Sequence, residues 1–254
     1  MLSRLLQLSR ISAKGGGFFR LDAEASEPTI YLYTMIGKAY NWETDEVVGC
    51  SDEDFINALA ECRSAPVVHL RVNSPGGNVF QAKAMQTAMM QYPGKIVAHV
   101  DSLAASAAAG LVMYASEIEM SVNAFMMIHK AWGILMGNAD DLRDLAGKLD
   151  QMDESIAADF ARKTGIDEVE IMEMMKKTTY IDAKTAKEKG FCDSILEPEK
   201  KIENRYDLSI YGAVPESLRI VKPDKPAQAR ESASLVNDRR DIERRLACIE
   251  RIAA

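Results

Sequence analysis

The chain has 254 residues, 47% of them hydrophobic and 27% charged, with a formal net charge of -7 and a pI near 5.2. That length can bury a sizeable core as one large domain or two small ones, and the acidic balance argues against nucleic acid as the main partner. No apolar run approaches the roughly 18 to 20 residues of a membrane span, so the sequence reads as soluble, with no membrane partner.

In chain order, the opening MLSRLLQLSRISAKGGGFFR mixes Leu, Ser and Arg with no acid before Asp22. Two readings fit: an organellar presequence, or a basic surface helix or disordered arm. A secretory signal is excluded because Arg4, Gln7 and Arg10 interrupt any apolar stretch. Gly15, Gly16 and Gly17 read as a hinge, so residues 1–27 are taken as an N-terminal arm. TIYLYTMIG (29–37) and APVVHLRVN (65–73) read as strands, with DEDFINALAEC between them as a helix. After the turn NSPGG, residues 78–92 place Val79, Ala82, Met85 and Met89 on one helical face. KIVAHV reads as a strand, 104–115 as a helix, and EIEMSV and AFMMIH as two short strands. The alternation predicts an α/β fold with crossover connections.

From Gly137 the pattern becomes a long helix: Leu142, Leu145, Leu149, Met152, Ile156 and Phe160 recur every three or four residues until Gly165 stops it. Its apolar stripe needs a partner, either in its own domain or in another subunit. A helix over 167–177, a strand over 178–181 and a helix capped by Asp182 follow. Past Pro198 the composition shifts. Residues 199–234 read as an extension and a Pro- and charge-rich linker, and 235–254 as a charged helix with Leu235, Ile242, Leu246 and Ile249 on one side. Cys50, Cys62, Cys192 and Cys248 show no C-x-x-C spacing, so neither a zinc site nor a disulfide framework is indicated, and a reducing, intracellular setting fits.

The chemistry centres on DSLAASAAAGLVMYA (101–115), where Ser106 stands among Ala104, Ala105, Ala107, Ala108 and Ala109. Bulkier residues would fill a core better, so the composition points to a close approach to the backbone. Its other reading is a tightly packed helix with a hydroxyl bonded to its own chain. A serine becomes a nucleophile only with a base to take its proton and donors to meet the oxyanion. Of the three histidines, His69 and His99 lie inside strands and read as hydrogen-bonded sheet residues. His129 ends a strand and begins the turn HKAWG, which makes it the candidate base. In NSPGG, Gly76 and Gly77 leave the backbone N–H groups bare, and Ser106 at a helix start would add the N–H of Ala107.

VNSPGG, DSLAASAAAGLVMYA, MMIH, DDLRDLAGKLDQMDESIAADFARKTG and YIDAKTAKEKGFCDSIL, in this order, resemble the Clp protease proteolytic subunit family over roughly residues 28–197. The detached charged C-terminal segment resembles the subgroup of head-maturation proteases of tailed phages and prophages. The resemblance implies a crotonase-like fold over 28–198 and a long protruding helix that joins subunits into a homo-oligomeric ring, or stacked rings. It implies polypeptide substrates, among them capsid or scaffold proteins, and a site in the cytoplasm of a bacterial or phage-infected cell or within the prohead. Ser106 matches the family nucleophile, His129 the base, and Gly77 with the backbone of Ala107 the oxyanion hole; no metal or other cofactor is implied.

One departure stands out. The family's acidic third member falls on Thr178, whose hydroxyl can orient a ring but cannot offset its charge. Asp182, four residues on, reads rather as a helix cap. A dyad, a substitute acid from elsewhere and a weakened enzyme all stay open. So do two other function classes: a ring-forming scaffold with little catalysis, and a crotonase-type acyl-CoA enzyme, which would place acids rather than this Ser and His pair at its centre. No G-x-x-x-x-G-K-[ST] loop for ATP occurs.

Overall fold

The β-branched and aromatic runs alternate with helices that have one apolar face, so parallel neighbours in the main sheet are joined by connections that contain a helix. The computed structural model describes residues 17–23, 26–41, 45–197, 208 and 214–218. It begins with an antiparallel pair, β1 (Phe18–Asp22) and β2 (Thr29–Tyr33). A separate small hairpin follows, β3 (Ala39–Asn41) with β4 (Glu46–Val48). Helix α1 (Asp52–Glu61) opens on a capping box, Ser51 Oγ accepting from the Asp54 N–H and the Asp54 carboxylate accepting from the Ser51 N–H. Then come β5 (Val67–Ser74), α2 (Val79–Met90), β6 (Lys95–Ala105) and α3 (Ala107–Val112). The chain continues through β7 (Glu117–Ser121), β8 (Phe125–Ile128), the long α4 (Ala139–Thr164) and α5 (Glu168–Lys176). The last elements are β9 (Thr179–Asp182), α6 (Ala183–Glu188), β10 (Ser194–Leu196) and a 3-10 turn, Glu216–Leu218.

The main sheet runs β1-β2-β5-β6-β7-β10, parallel from β2 onward. Strand β6 serves two neighbourhoods. Its first residues pair with β5 and β7, while Leu103, Ala104 and Ala105 pair with Phe125, Met126 and Met127 of β8, which in turn pairs antiparallel with β9. The α/β class predicted from the sequence is the class observed. One boundary differs: the helix expected over 104–115 spans only Ala107–Val112, because Ala104 and Ala105 complete a ladder with β8. Partners on a neighbouring strand override the helical propensity of alanine.

The core lies between the sheet and its helices, with Leu32, Val72, Val100 and Met120 fully buried. The stripe of α4 is graded: Leu142 is exposed, Leu145, Leu149, Met152 and Ile156 are partly buried, and Phe160 is buried with its ring 5.9 Å from that of Phe191. Gly165 ends the helix in the left-handed conformation, its N–H donating to Ala161 O at 2.8 Å. Leu208, Val214 and Leu218 pack against Leu103, Ala105 and Met127, so part of the extension beyond Pro198 covers the β6–β8 junction. Cys50, Cys62 and Cys192 are free and buried. Of the arm read over residues 1–27, Phe18–Asp22 instead pairs with β2 as an edge strand of the sheet, while residues 1–16, with the presequence reading, the linker over 221–234 and the terminal helix over 235–254 lie outside the described residues.

Because Phe160 anchors the buried end of α4, Phe160→Ala is expected to cost about 3–5 kcal/mol, read as a lower urea midpoint with an unchanged slope.

Candidate active site

Ser106 occupies the single residue between β6 and α3, with φ 55 and ψ -125. An L residue rarely holds that conformation, so the surroundings must impose it. Its N–H donates to Met127 O at 2.7 Å, and its carbonyl accepts from the Gly110 N–H at 3.2 Å. The neighbouring alanines follow from crowding, since Ala104, Ala105, Ala108 and Ala109 are wholly buried. Gly76 lies directly against this turn with φ 89. A Cβ there would sit 2.7 Å from Ser106 Cβ and 2.5 Å from Ala105 O, so only glycine fits. At Gly77, φ 145, a Cβ would meet Ile36 O at 2.0 Å. The Ile36 N–H donates to Gly76 O and the Asn78 N–H to Ile36 O, bonds that do not use the Gly77 N–H.

The β6–β8 register carries His129, the residue after β8, to the serine: His129 Nε2 is 2.8 Å from Ser106 Oγ. Burial pushes the imidazole down from its ordinary 6.5 to about 4. A hydrogen bond with the Lys130 main chain and the nearby Asp153 carboxylate work the other way. The ring is therefore neutral at pH 7, and its Nε2 can accept the Ser106 proton. Beside the pair opens a cavity of about 480 Å³ lined by Met35, Ile36, Tyr40 and Trp132 as well as Gly77 and Ser106.

The register also places Thr178. Ile128 pairs with Thr179, so Thr178 comes alongside His129. Its φ of 53 is costly for a β-branched residue and is favoured by Asp, Asn or Gly. Asp182 pairs with Phe125 at the other end of the ladder, about 14 Å along at the usual rise per residue. It caps α6, accepting from the Thr185 N–H at 2.7 Å, a bond that lowers its carboxyl below the usual range. Asp182 is thus the helix cap the sequence indicated and not a partner of His129.

A residue that sequence reasoning passed over stands near the base. Asp153 on α4 is buried at 1% exposure; its Oδ1 accepts from the Ala131 N–H at 2.6 Å, and its Oδ2 pairs with Lys130 Nζ at 3.1 Å. The available signal was a carboxylate on an apolar stripe, spaced four and three residues from Leu149 and Ile156. His69 and His99 are, as read, sheet residues away from the site. Their rings contact each other at 2.7 Å, His69 contacts Glu27 at 2.9 Å, and His99 contacts Glu119 at 2.8 Å.

A serine on a strained strand-to-helix turn, bonded to a neutral histidine and packed against Gly76, places the chain among α/β proteins with a serine–histidine pair. The Clp protease family profile matches residues 54–199, and the chain belongs to that family. It is 30% identical over 136 residues to the ATP-dependent Clp protease proteolytic subunit 1 of Rhodococcus jostii, covering 52% of this chain and 62% of that protein. With the protein of the same name from Mycolicibacterium paratuberculosis it shares 28% over 137 residues, covering 52% and 65%. The chain thus spans less than two thirds of the length of these relatives. The fold is the mixed α/β arrangement of the family, and among the described residues no helix is long and apolar enough to cross a membrane.

The lowered pKa of His129 has a measurable sign. The unfolded ring takes up a proton near pH 6.5, whereas the folded ring resists until about pH 4. Stability is therefore expected to fall as pH drops through that window, by up to about 1.4 kcal/mol per pH unit for this group. Urea melts of wild type and His129→Gln across the window check this, the variant losing that part of the slope.

Proposed function

We propose that this protein is a serine endopeptidase of the Clp type, with Ser106 as nucleophile and His129 as base. The observation that carries the reading is the 2.8 Å contact between His129 Nε2 and Ser106 Oγ at the edge of an open cavity. Ser106 Oγ attacks the carbonyl carbon of a peptide bond while its proton passes to His129 Nε2; the imidazolium then protonates the leaving amine. Water, deprotonated by the same ring, releases the acyl group. The N–H groups of Gly77 and Ala107 meet the negative charge that develops on the carbonyl oxygen. Met35, Ile36, Tyr40 and Trp132 around the cavity favour an apolar side chain of the polypeptide substrate beside the scissile bond.

Family membership supports a homo-oligomeric ring or stacked rings, and the exposed first turns of α4, with Leu142 open to solvent, provide a face for subunit contact. The charged C-terminal segment supports the narrower reading, the processing of capsid or scaffold proteins during phage head maturation in a bacterial cytoplasm or within the prohead. The second reading is an assembly scaffold with little catalysis. Thr178 at the acid position favours it, because losing an orienting carboxylate can cost about 10⁴ in kcat. An acyl-CoA enzyme has less support: among the described residues no acid lines the cavity of about 480 Å³, and Asp159, which lines a smaller cavity beside Ser106, is held by Lys83 and the Tyr114 hydroxyl.

Wild type is expected to react with a fluorophosphonate probe and to cleave a capsid precursor, whereas Ser106→Ala should lose labelling and slow cleavage by about 10³-fold or more. Equal silence of the two proteins would give the scaffold reading the field. Gly76→Ala tests the turn itself: an added Cβ pushes on Ser106, so labelling should fall well before the fold is lost, as judged by circular dichroism.

A further inference from the structure

A neutral buried histidine that must become an imidazolium needs negative charge or a strong acceptor behind it. Neither position 178 nor Asp182 supplies one. The nearby Asp153 carboxylate favours the protonated form of the His129 ring, and its contacts are made to the loop that follows the ring. Its side chain is buried on α4, one turn before Ala157 and two before Phe160, and it grips the two residues that follow the base. Oδ1 accepts from the Ala131 N–H at 2.6 Å, and Oδ2 holds Lys130 Nζ at 3.1 Å. The Ala131 N–H and the Lys130 C=O are the two ends of one amide. The imidazole makes a main-chain hydrogen bond at Lys130 that favours its protonated form, the mark of a carbonyl acceptor. A carboxylate bonded to one end of an amide polarises it and strengthens the acceptor at the other end.

We propose that Asp153 is the positioning acid of this site: through the amide joining Lys130 to Ala131 it holds the His129 ring toward Ser106 and stabilises the imidazolium. This rests on the peptidase reading for its role in turnover, but not for its effect on the ring. A bare structural clamp would order the loop and leave the base's proton affinity alone; a charge relayed through the amide must change it. Other charges near the ring are weaker candidates. Lys130 is itself bound to Asp153 and, at 3.3 Å, to the exposed Asp150. Asp159 of α4 is taken by Lys83 of α2 and by the Tyr114 hydroxyl. Lys38 at the cavity is paired with Asp54.

The test titrates His129 by NMR in the full chain and follows the fluorophosphonate labelling rate against pH, with Ser106→Ala as the blank and His129→Gln to assign the resonance. Asp153→Asn keeps the shape and an oxygen acceptor. It should lower the His129 titration by about one pH unit, the usual effect of losing a neighbouring charge, and slow labelling by about 10-fold or more. Adding Thr178→Asp to that variant places a carboxylate where the left-handed backbone accepts one and should restore both readouts. Should Asp153→Asn not fold, Lys130→Met leaves the carboxylate in place and removes its half-exposed counter-ion, which should raise the His129 titration. An unmoved titration in Asp153→Asn, or in Lys130→Met, overturns the proposal whatever the labelling shows. Wild type that labels no better than Ser106→Ala, with the titration shifting as described, overturns the peptidase reading and leaves the electrostatic relay standing.

Discussion

The site depends on one backbone hydrogen bond, from the Ser106 N–H to Met127 O. It is the last rung of the β6–β8 pairing, and it is made by a residue whose φ of 55 already leaves the strand. Fixing that rung fixes the direction of the serine side chain and sets Ile128 and His129 beside it. The crowding around the rung then dictates composition. Alanines flank the serine because both sides of the turn are buried, and position 76 must be glycine because the loop from β5 lies in contact with Ser106 Cβ. The local strain, on the order of 1–3 kcal/mol for such a conformation, is borne by a ladder and a core that together leave the turn no alternative.

Electrostatics complete the arrangement. A histidine buried enough to titrate near 4 is available as a base at any physiological pH, yet the charge it must acquire is correspondingly expensive there. A site of this kind needs compensation that appears with the proton. Main-chain dipoles provide it without adding a full charge beside the substrate, and a carboxylate held one amide away adds to them while its own charge is shared with Lys130. This differs from direct contact between acid and imidazole, and it makes the loop after His129 part of the electrostatics as well as the shape.

Much of this was legible in the sequence because it is written in local patterns. Residues 78–92 show helical periodicity, β-rich runs bound the crossovers, Gly165 terminates α4, and Asp182 has the spacing of a cap; each depends on neighbours within a few residues. The meeting of Ser106 and His129 was legible through chain order and their turn contexts. What escaped depends on partners far along the chain. Ala104 and Ala105 look helical until β8 is known to lie beside them, and Phe18–Asp22 looks like an arm until it pairs with β2. Leu208, Val214 and Leu218 look like extension until they cover the β6–β8 junction. Asp153 is the sharpest instance. On a helical wheel it is an acid in line with Leu149 and Ile156, and only tertiary contact shows that it faces the loop after His129.

Thr178 shows why the geometry of the site survives without its expected acid. The residue keeps a left-handed backbone that a β-branched side chain disfavours, so the turn is imposed from outside the residue. The Thr178 N–H donates to Met175 O, Thr179 Oγ1 donates to Met174 O at 2.6 Å, and the Lys130 N–H also donates to Met175 O. These bonds join the end of α5 to the loop carrying His129, and none involves the Thr178 side chain. Position 178 can therefore change chemistry without moving the base. An acid lost there removes charge but not shape, and the shape can be used by a carboxylate arriving from α4.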